Sequence, residues 1–177
     1  LVELAGAGDL VAELAGALES LGEAVESSAV AEDDAGAERL WRFREAHPEA
    51  AAALGLVHKA DVTVPLSAMS AFVDEVGPAV ASVAPGATTL VYGHLGDGNL
   101  HVNVVGPTAD DPGAVDAVLG LVLAHGGSVS AEHGIGSAKR DWLERQRGPV
   151  AVSAMRAIKA ALDPDGVLNP GVLLPSR

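Results

Sequence analysis

The sequence contains no cysteine and is poor in aromatic and basic residues. Without cysteine the chain can form no disulfide framework, no thiolate nucleophile and no protein-ligated iron–sulfur cluster. Acidic residues outnumber basic residues by 24 to 11, which gives a formal net charge of −13. This balance argues against nucleic acid and anionic membrane surfaces as partners, because both bind basic proteins.

Long apolar runs are missing as well. No stretch approaches the ~20 residues that span a bilayer, and no signal peptide is visible at Leu1. We therefore expect a cytoplasmic location, with peripheral membrane association of the full protein as the alternative. Because the chain begins without methionine, we interpret it as a fragment. Hydrophobic residues make up 49% of the sequence, which suffices for the core of one domain over residues 1–177.

Strand and helix patterns alternate along the chain and predict an α+β fold. We expect a ferredoxin-like antiparallel sheet with helices packed on one face and the active site on the other. Strands are expected at Leu1–Ala5, at Glu23–Val30 and at His58–Val64. Helices are expected after Asp9, from about Ala35 to Arg44, after Pro65, from about Pro112 to His125, and as two short helices before the C-terminal end. On the third strand, alternation puts Lys59, Asp61 and Thr63 on one face.

The segment Tyr92–Asn103 contains the strongest hairpin signal, the dipeptide Asp97-Gly98 between two apolar runs. A two-residue turn there would put His94 opposite His101 and Tyr92 opposite Asn103. These four residues share one strand face, whereas the other face is aliphatic. Two facing imidazoles can bind a divalent metal. The alternative is a pair of partly exposed histidines on a polar sheet face.

The segment Glu132-His133-Gly134-Ile135-Gly136 is a loop in which the glycines permit unusual backbone angles. Glu132 could add a third ligand to the two histidines. Such a His2Glu set leaves a metal position open for water or substrate, as catalytic metals require. A capping pair at a turn is the alternative interpretation of Glu132 and His133.

Three ordered segments resemble the signatures of one family, the C-terminal domain of FAD-linked oxidases. This is the glycolate oxidase, D-lactate dehydrogenase and D-2-hydroxyglutarate dehydrogenase group. The segments are Gly93–Asn103, Ser128–Gly136 and Asp163–Gly171. The resemblance implies a substrate-cap domain in which His94, His101 and Glu132 bind zinc or a similar divalent ion.

The same resemblance implies that Asn103 and His133 contact the substrate. Leu40-Trp41-Arg42-Phe43-Arg44 is similar to the family's carboxylate-binding segment, with Arg44 as the binding residue, and Lys59 matches the basic residue of the next segment. Pro48 stands where the hydroxyglutarate branch has threonine, which argues against a dicarboxylate substrate.

The chemistry of these residues agrees with the oxidation of a 2-hydroxy acid. A bound metal lowers the pKa of the substrate hydroxyl, and His133 can take the proton as general base. Arg44 can hold a carboxylate bidentately, and Lys59 can add a point charge. For both cations, a solvated surface charge is the alternative interpretation.

The hydride acceptor is missing from the sequence, which contains no glycine-rich dinucleotide fingerprint. The resemblance implies that FAD lies mainly on a preceding domain and that Asn169 approaches the flavin. We therefore expect this chain to be part of a flavin-dependent D-2-hydroxy-acid dehydrogenase that passes its electrons to a downstream carrier. The chain alone is expected to be inactive. A metal-dependent hydrolase using the His2Glu site and a noncatalytic module that binds metal or carboxylates are the alternatives.

Overall fold

The computed structural model describes residues 1–106, 108 and 112–174. By the density of its contacts the chain forms two compact units, and the boundary lies between Ala53 and Leu54. The second unit contains the sheet, the main apolar core and all predicted site residues except Arg44.

The first unit consists of three helices, α1 (Leu10–Leu21), α2 (Asp34–Glu45) and α3 (His47–Ala53). Aspartates begin the first two helices. The Asp9 carboxylate accepts a hydrogen bond from the Ala12 backbone N–H at 3.0 Å, and the Asp33 carboxylate accepts one from Gly36 at 2.6 Å. These caps satisfy N–H groups that have no partner within the helix. The two helices predicted for this part of the chain are confirmed.

The two strands predicted in the first unit, Leu1–Ala5 and Glu23–Val30, are wrong. Leu1–Ala5 has no regular structure, and Glu23–Val30 contains only the end of a 3₁₀ turn at Gly22–Ala24. A strand is stabilised by the backbone hydrogen bonds of a neighbouring strand, and the sheet contains no strand from this unit. Leu1, Val2 and Leu4 instead line an apolar groove beside α1.

The second unit contains a three-stranded antiparallel sheet in the order β1-β3-β2. Its elements are β1 (Val57–Thr63), α4 (Met69–Val83), β2 (Thr88–His94), β3 (Asn99–Val105), α5 (Gly113–Ala124) and α6 (Arg140–Leu162). Ser128 forms an antiparallel bridge with Thr63 at the free edge of β1. This βαββα order, with a bridge in the position of a fourth strand, is a ferredoxin-like arrangement and confirms the α+β prediction.

The core lies between the helices and the aliphatic face of the sheet. Its buried sheet residues include Ala60, Val62, Leu100, Val102 and Val104; helices α4 and α5 supply Phe72, Val76, Val80, Val118, Leu119 and Val122. In β1 and β3 the buried aliphatic residues alternate with polar ones. The polar side chains therefore lie on the opposite face of the sheet.

Helix α6 corresponds to the two short helices predicted before the C-terminal end. It is interrupted at Gly148, whose φ of 79° and ψ of 161° are not helical, immediately before Pro149. Proline cannot donate the backbone hydrogen bond that would continue the preceding turn. The element therefore consists of two helical segments.

Candidate functional site

The polar residues of β1 and of the hairpin share one face of the sheet. Lys59 lies opposite Asn103, and Asp61 lies opposite His101. Directly paired residues of an antiparallel sheet point to the same side. The polar faces of the two segments therefore point the same way.

The predicted pairing within the hairpin is wrong by two residues. The structure pairs His94 with Asn99 and Tyr92 with His101. The loop therefore has four residues, and it is closed by the Gly98 N–H, which donates to the His94 carbonyl at 3.1 Å. Asp97 accepts a further bond from the Asn99 N–H at 3.0 Å. The shift is an even number, so every side chain keeps its predicted face.

The two histidines of the hairpin are neighbours despite the shift. The ring centroids of His94 and His101 are 5.6 Å apart, and the rings are nearly perpendicular. The Tyr92 ring lies 5.2 Å from that of His101. The Asn103 amide donates a hydrogen bond to the Tyr92 hydroxyl at 3.2 Å. The residues singled out in the hairpin therefore form one contiguous cluster.

The Glu132–His133 loop reaches this cluster through Asp61. One carboxylate oxygen of Asp61, Oδ2, accepts hydrogen bonds from the backbone N–H groups of Glu132 at 2.7 Å and His133 at 3.1 Å. The Nδ1 atom of His133 lies 3.9 Å from the same oxygen. The other oxygen, Oδ1, lies 3.5 Å from Nδ1 of His101. One carboxylate thus stands between the hairpin and the loop.

Asp61 is charged in this environment although its side chain is buried. Burial disfavours the ionised carboxylate, yet the two backbone N–H groups and the nearby charges of His133 and Lys139 hold the pKa of Asp61 below its usual value. Burial also lowers the pKa of Lys139, and the Asp61 charge partly opposes that shift. The ionised carboxylate of Asp61 is thereby favoured at the base of the cluster.

The donor set fits a divalent metal. Ligand atoms of Asp61, Glu132 and His133 all lie within 4.8 Å of one another, and imidazole nitrogen with carboxylate oxygen is a set that zinc accepts. Oδ1 of Asp61 and both amide atoms of Asn99 are buried without a hydrogen-bond partner in the described part of the chain. Such atoms are costly unless a ligand or water satisfies them.

The remaining predicted residues lie in three different positions. Lys59 is exposed on the polar face, opposite Asn103, which is only 2% exposed. Asn169 has a φ of 44° in the C-terminal segment and borders a cavity of about 570 Å³ between that segment and α6. Arg44 is half-buried in the last turn of α2, in the first unit.

Sequence reasoning missed two residues of the site, Asp61 and Lys139. The Lys139 ammonium donates to the backbone carbonyl of Asp61 at 2.9 Å. A signal for Asp61 was available, since this aspartate lies on the same strand face as Lys59, which was singled out as a substrate-binding residue. No comparable signal marks Lys139, because its partner lies 78 positions away in the sequence.

The sheet, its helical layer and this cluster define an α+β domain with a site of histidines and carboxylates on the open face. The sequence profile of the family described as FAD linked oxidases, C-terminal domain, matches residues 1–173. The chain belongs to this family.

Relatives from bacteria and animals support the assignment. A D-2-hydroxyglutarate dehydrogenase from Xanthomonas citri pv. viticola is 41% identical over 157 residues, which cover 84% of this chain and 33% of the relative. The one from Stutzerimonas stutzeri is 37% identical over 142 residues, which cover 76% of this chain and 30% of the relative. The mitochondrial enzyme of that name from Bos taurus is 43% identical over 142 residues, which cover 78% of this chain and 26% of the relative. The chain thus spans a third or less of the length of these relatives.

None of the helices in the described residues has the length and apolarity that crossing a bilayer requires. The cytoplasmic location stays a prediction.

Proposed function

We propose that this chain is the substrate- and metal-binding part of a flavin-dependent dehydrogenase, which converts a D-2-hydroxy acid into the 2-oxo acid by hydride transfer to FAD. The observation that carries the proposal is the arrangement of His101 and the Glu132–His133 loop around Asp61, with His94 beside His101, in a chain of this family. The names of the relatives agree with it. FAD would lie mainly on a preceding domain, with Asn169 near the flavin, and an electron carrier would reoxidise it.

We propose that His94, His101 and Glu132 hold a divalent metal, with zinc the best match to their nitrogen and oxygen donors. The metal would lower the pKa of the substrate hydroxyl. His133 is well situated as the general base, because its side chain is 70% exposed while Nδ1 faces Asp61. That orientation favours the tautomer with the proton on Nδ1, which leaves Nε2 to accept the hydroxyl proton.

The substrate carboxylate needs local cations, because the net charge of −13 repels an anion. We propose that Arg44 binds the carboxylate bidentately, that Lys59 adds a second positive charge, and that Asn103 donates a hydrogen bond. The names of the relatives favour D-2-hydroxyglutarate, whereas Pro48 lacks the hydroxyl that the hydroxyglutarate branch has there. Comparing kcat/KM for D-2-hydroxyglutarate, D-lactate and glycolate decides between a dicarboxylate and a monocarboxylate.

The roles are tested in the full-length protein by anaerobic bleaching of the flavin and by metal analysis. His133→Ala should lower kcat by ~10²–10⁴-fold, the usual contribution of a general base, with metal content unchanged. His101→Ala should lose the metal. His125→Ala is the matched control, since His125 contacts Glu75 in the helical layer and should change neither quantity.

Two results would overturn the assignment. Loss of metal in His133→Ala would make His133 a ligand instead of the base. Esterase or peptidase turnover by the chain without flavin would favour the metal-dependent hydrolase. The family match favours the dehydrogenase over that enzyme and over a noncatalytic module.

A further inference from the structure

Asp61 is the buried residue that the proposed roles leave without a task. Its side chain is 4% exposed and lies on the polar face of β1, between His101 and the Glu132–His133 loop. Its Oδ2 atom already accepts two backbone hydrogen bonds, which strongly orient the carboxylate. Its side-chain contacts reach His101, Glu132 and His133.

The backbone of Asp61 is engaged as well. Its carbonyl oxygen accepts hydrogen bonds from the Ala131 N–H at 3.3 Å and from the Lys139 ammonium at 2.9 Å. The loop that contains the proposed ligand and base is therefore tied to one residue at both ends. Glu132 and His133 are held at the start of the loop, and Lys139 is held at its end.

The loop between these ties contains two glycines with little packing around them. Gly134 and Gly136 have φ values of 72° and 56°, and added Cβ atoms there would meet nothing within 4 Å. Packing around these two glycines therefore does little to fix the loop. Ile135 packs against the core, and the Gly136 carbonyl accepts a hydrogen bond from the Leu173 N–H at 2.9 Å. The described backbone hydrogen bonds of Glu132 and His133 themselves go to Asp61.

We propose that Asp61 is a positioning residue, which sets the Glu132–His133 backbone and the His101 ring in their binding geometry before any ligand arrives. This inference rests on the proposed function. The Asp61 carboxylate lies within 4.8 Å of ligand atoms of Glu132 and His133, but two backbone N–H groups already occupy its Oδ2 atom. In this proposal Asp61 therefore acts through its neighbours, and His94, His101 and Glu132 ligate the metal. Outer carboxylates of this kind typically change metal affinity by ~10–100-fold, because they orient the ligand imidazoles.

The test uses the metal-free chain first. Amide hydrogen exchange should show protected N–H groups at Glu132 and His133, and Asp61→Ala should remove that protection. Lys139→Met keeps the aliphatic stem and should leave those two amides protected, because it releases only the far end of the loop. Unprotected amides in the unchanged chain would overturn the proposal. This readout needs neither metal nor flavin, so it is independent of the proposed function.

The second measurement is zinc affinity by competition with a chelator. Asp61→Asn keeps one acceptor for the backbone N–H groups but loses the charge beside His101, so affinity should fall by ~10–100-fold. Val62→Ala is the matched control, because Val62 is fully buried on the opposite face of the same strand. It should destabilise the fold without changing zinc affinity.

The outcomes separate three cases. An equal fall in zinc affinity in Val62→Ala would show that Asp61 has only a structural role and would refute the proposal. Complete loss of zinc in Asp61→Asn, with the loop amides still protected, would make Asp61 a ligand and also refute it. A chain that binds no zinc would refute the proposed metal site, while the exchange experiment would still decide whether Asp61 orders the loop.

Discussion

Gly98 ends the hairpin loop at a point where the backbone has no room for a side chain. Its φ is 76°, and a Cβ atom there would lie 2.2 Å from the carbonyl oxygen of Val64. Its own carbonyl accepts a hydrogen bond from the Val64 N–H at 3.1 Å. Gly98→Ala should therefore be strongly destabilising, because the loop and the end of β1 must separate.

The magnitude follows from two contributions. The left-handed backbone conformation costs an alanine about 1–2 kcal/mol. Displacing the Val64 peptide leaves buried polar groups unpaired, which costs about 1–3 kcal/mol more. Gly86→Ala is the matched control, because Gly86 has a φ of 88° but an added Cβ would meet nothing within 4 Å. Its free energy of unfolding should fall only by the cost of the left-handed conformation.

Urea unfolding measures the difference. In a Trp41→Phe background, the buried Trp142 alone reports on the second unit by fluorescence. The slope m should stay constant, so the midpoints give the free energies of unfolding directly. Gly98→Ala should also weaken zinc binding, since the loop begins directly after His94 and its Gly98 N–H bonds to the His94 carbonyl. Losses that agree within about 0.5 kcal/mol for the two variants, near the usual noise of surface substitutions, would refute a rigid contact at Val64.

Three further outcomes are expected. The hydrogen bond from Lys159, together with those from the backbone of Val167 and Leu168, holds the pKa of Asp163 below its usual value despite burial. Stability should therefore fall as the pH drops from about 4, the ordinary pKa of aspartate, through the lower pKa of the folded state. In a pH series of thermal unfolding, Asp163→Asn should reduce this loss of stability in acid. Trp142→Phe removes the indole hydrogen bond to the Asp116 carboxylate at 2.9 Å. Calorimetry should therefore show a free energy of unfolding lower by about 1–3 kcal/mol, and an unchanged value would contradict the bond. The isolated chain should show no D-lactate-dependent reduction of added FAD, because hydride transfer needs the reacting atoms held about 3–3.5 Å apart; a rate near that of the full-length protein would disprove the two-domain arrangement.

Local patterns in the sequence were sufficient for the elements of the second unit and for the faces of its sheet. The alternation of Lys59, Asp61 and Thr63 predicted the polar face of β1, and the same period of two predicted the faces of the hairpin. This succeeded although the loop was given two residues instead of four. An even error in register leaves every side chain on its own face. Helix caps such as Asp9 could also be predicted, because the capping residue and its partner are three positions apart.

Only the tertiary structure decided which residues meet. The exact partner of His94 depends on the loop geometry, in which Val64, directly after β1, bonds to Gly98. The strands expected at the start of the chain failed because a strand needs a neighbour, and neighbours are not visible in a local pattern. Asp61 meets Glu132 across 71 positions, and its importance comes from two backbone N–H groups that carry no residue-specific signal. The sequence by itself therefore determined the family and the polar face of the sheet, whereas long-range packing decided that Asp61 contacts both His101 and the Glu132–His133 loop.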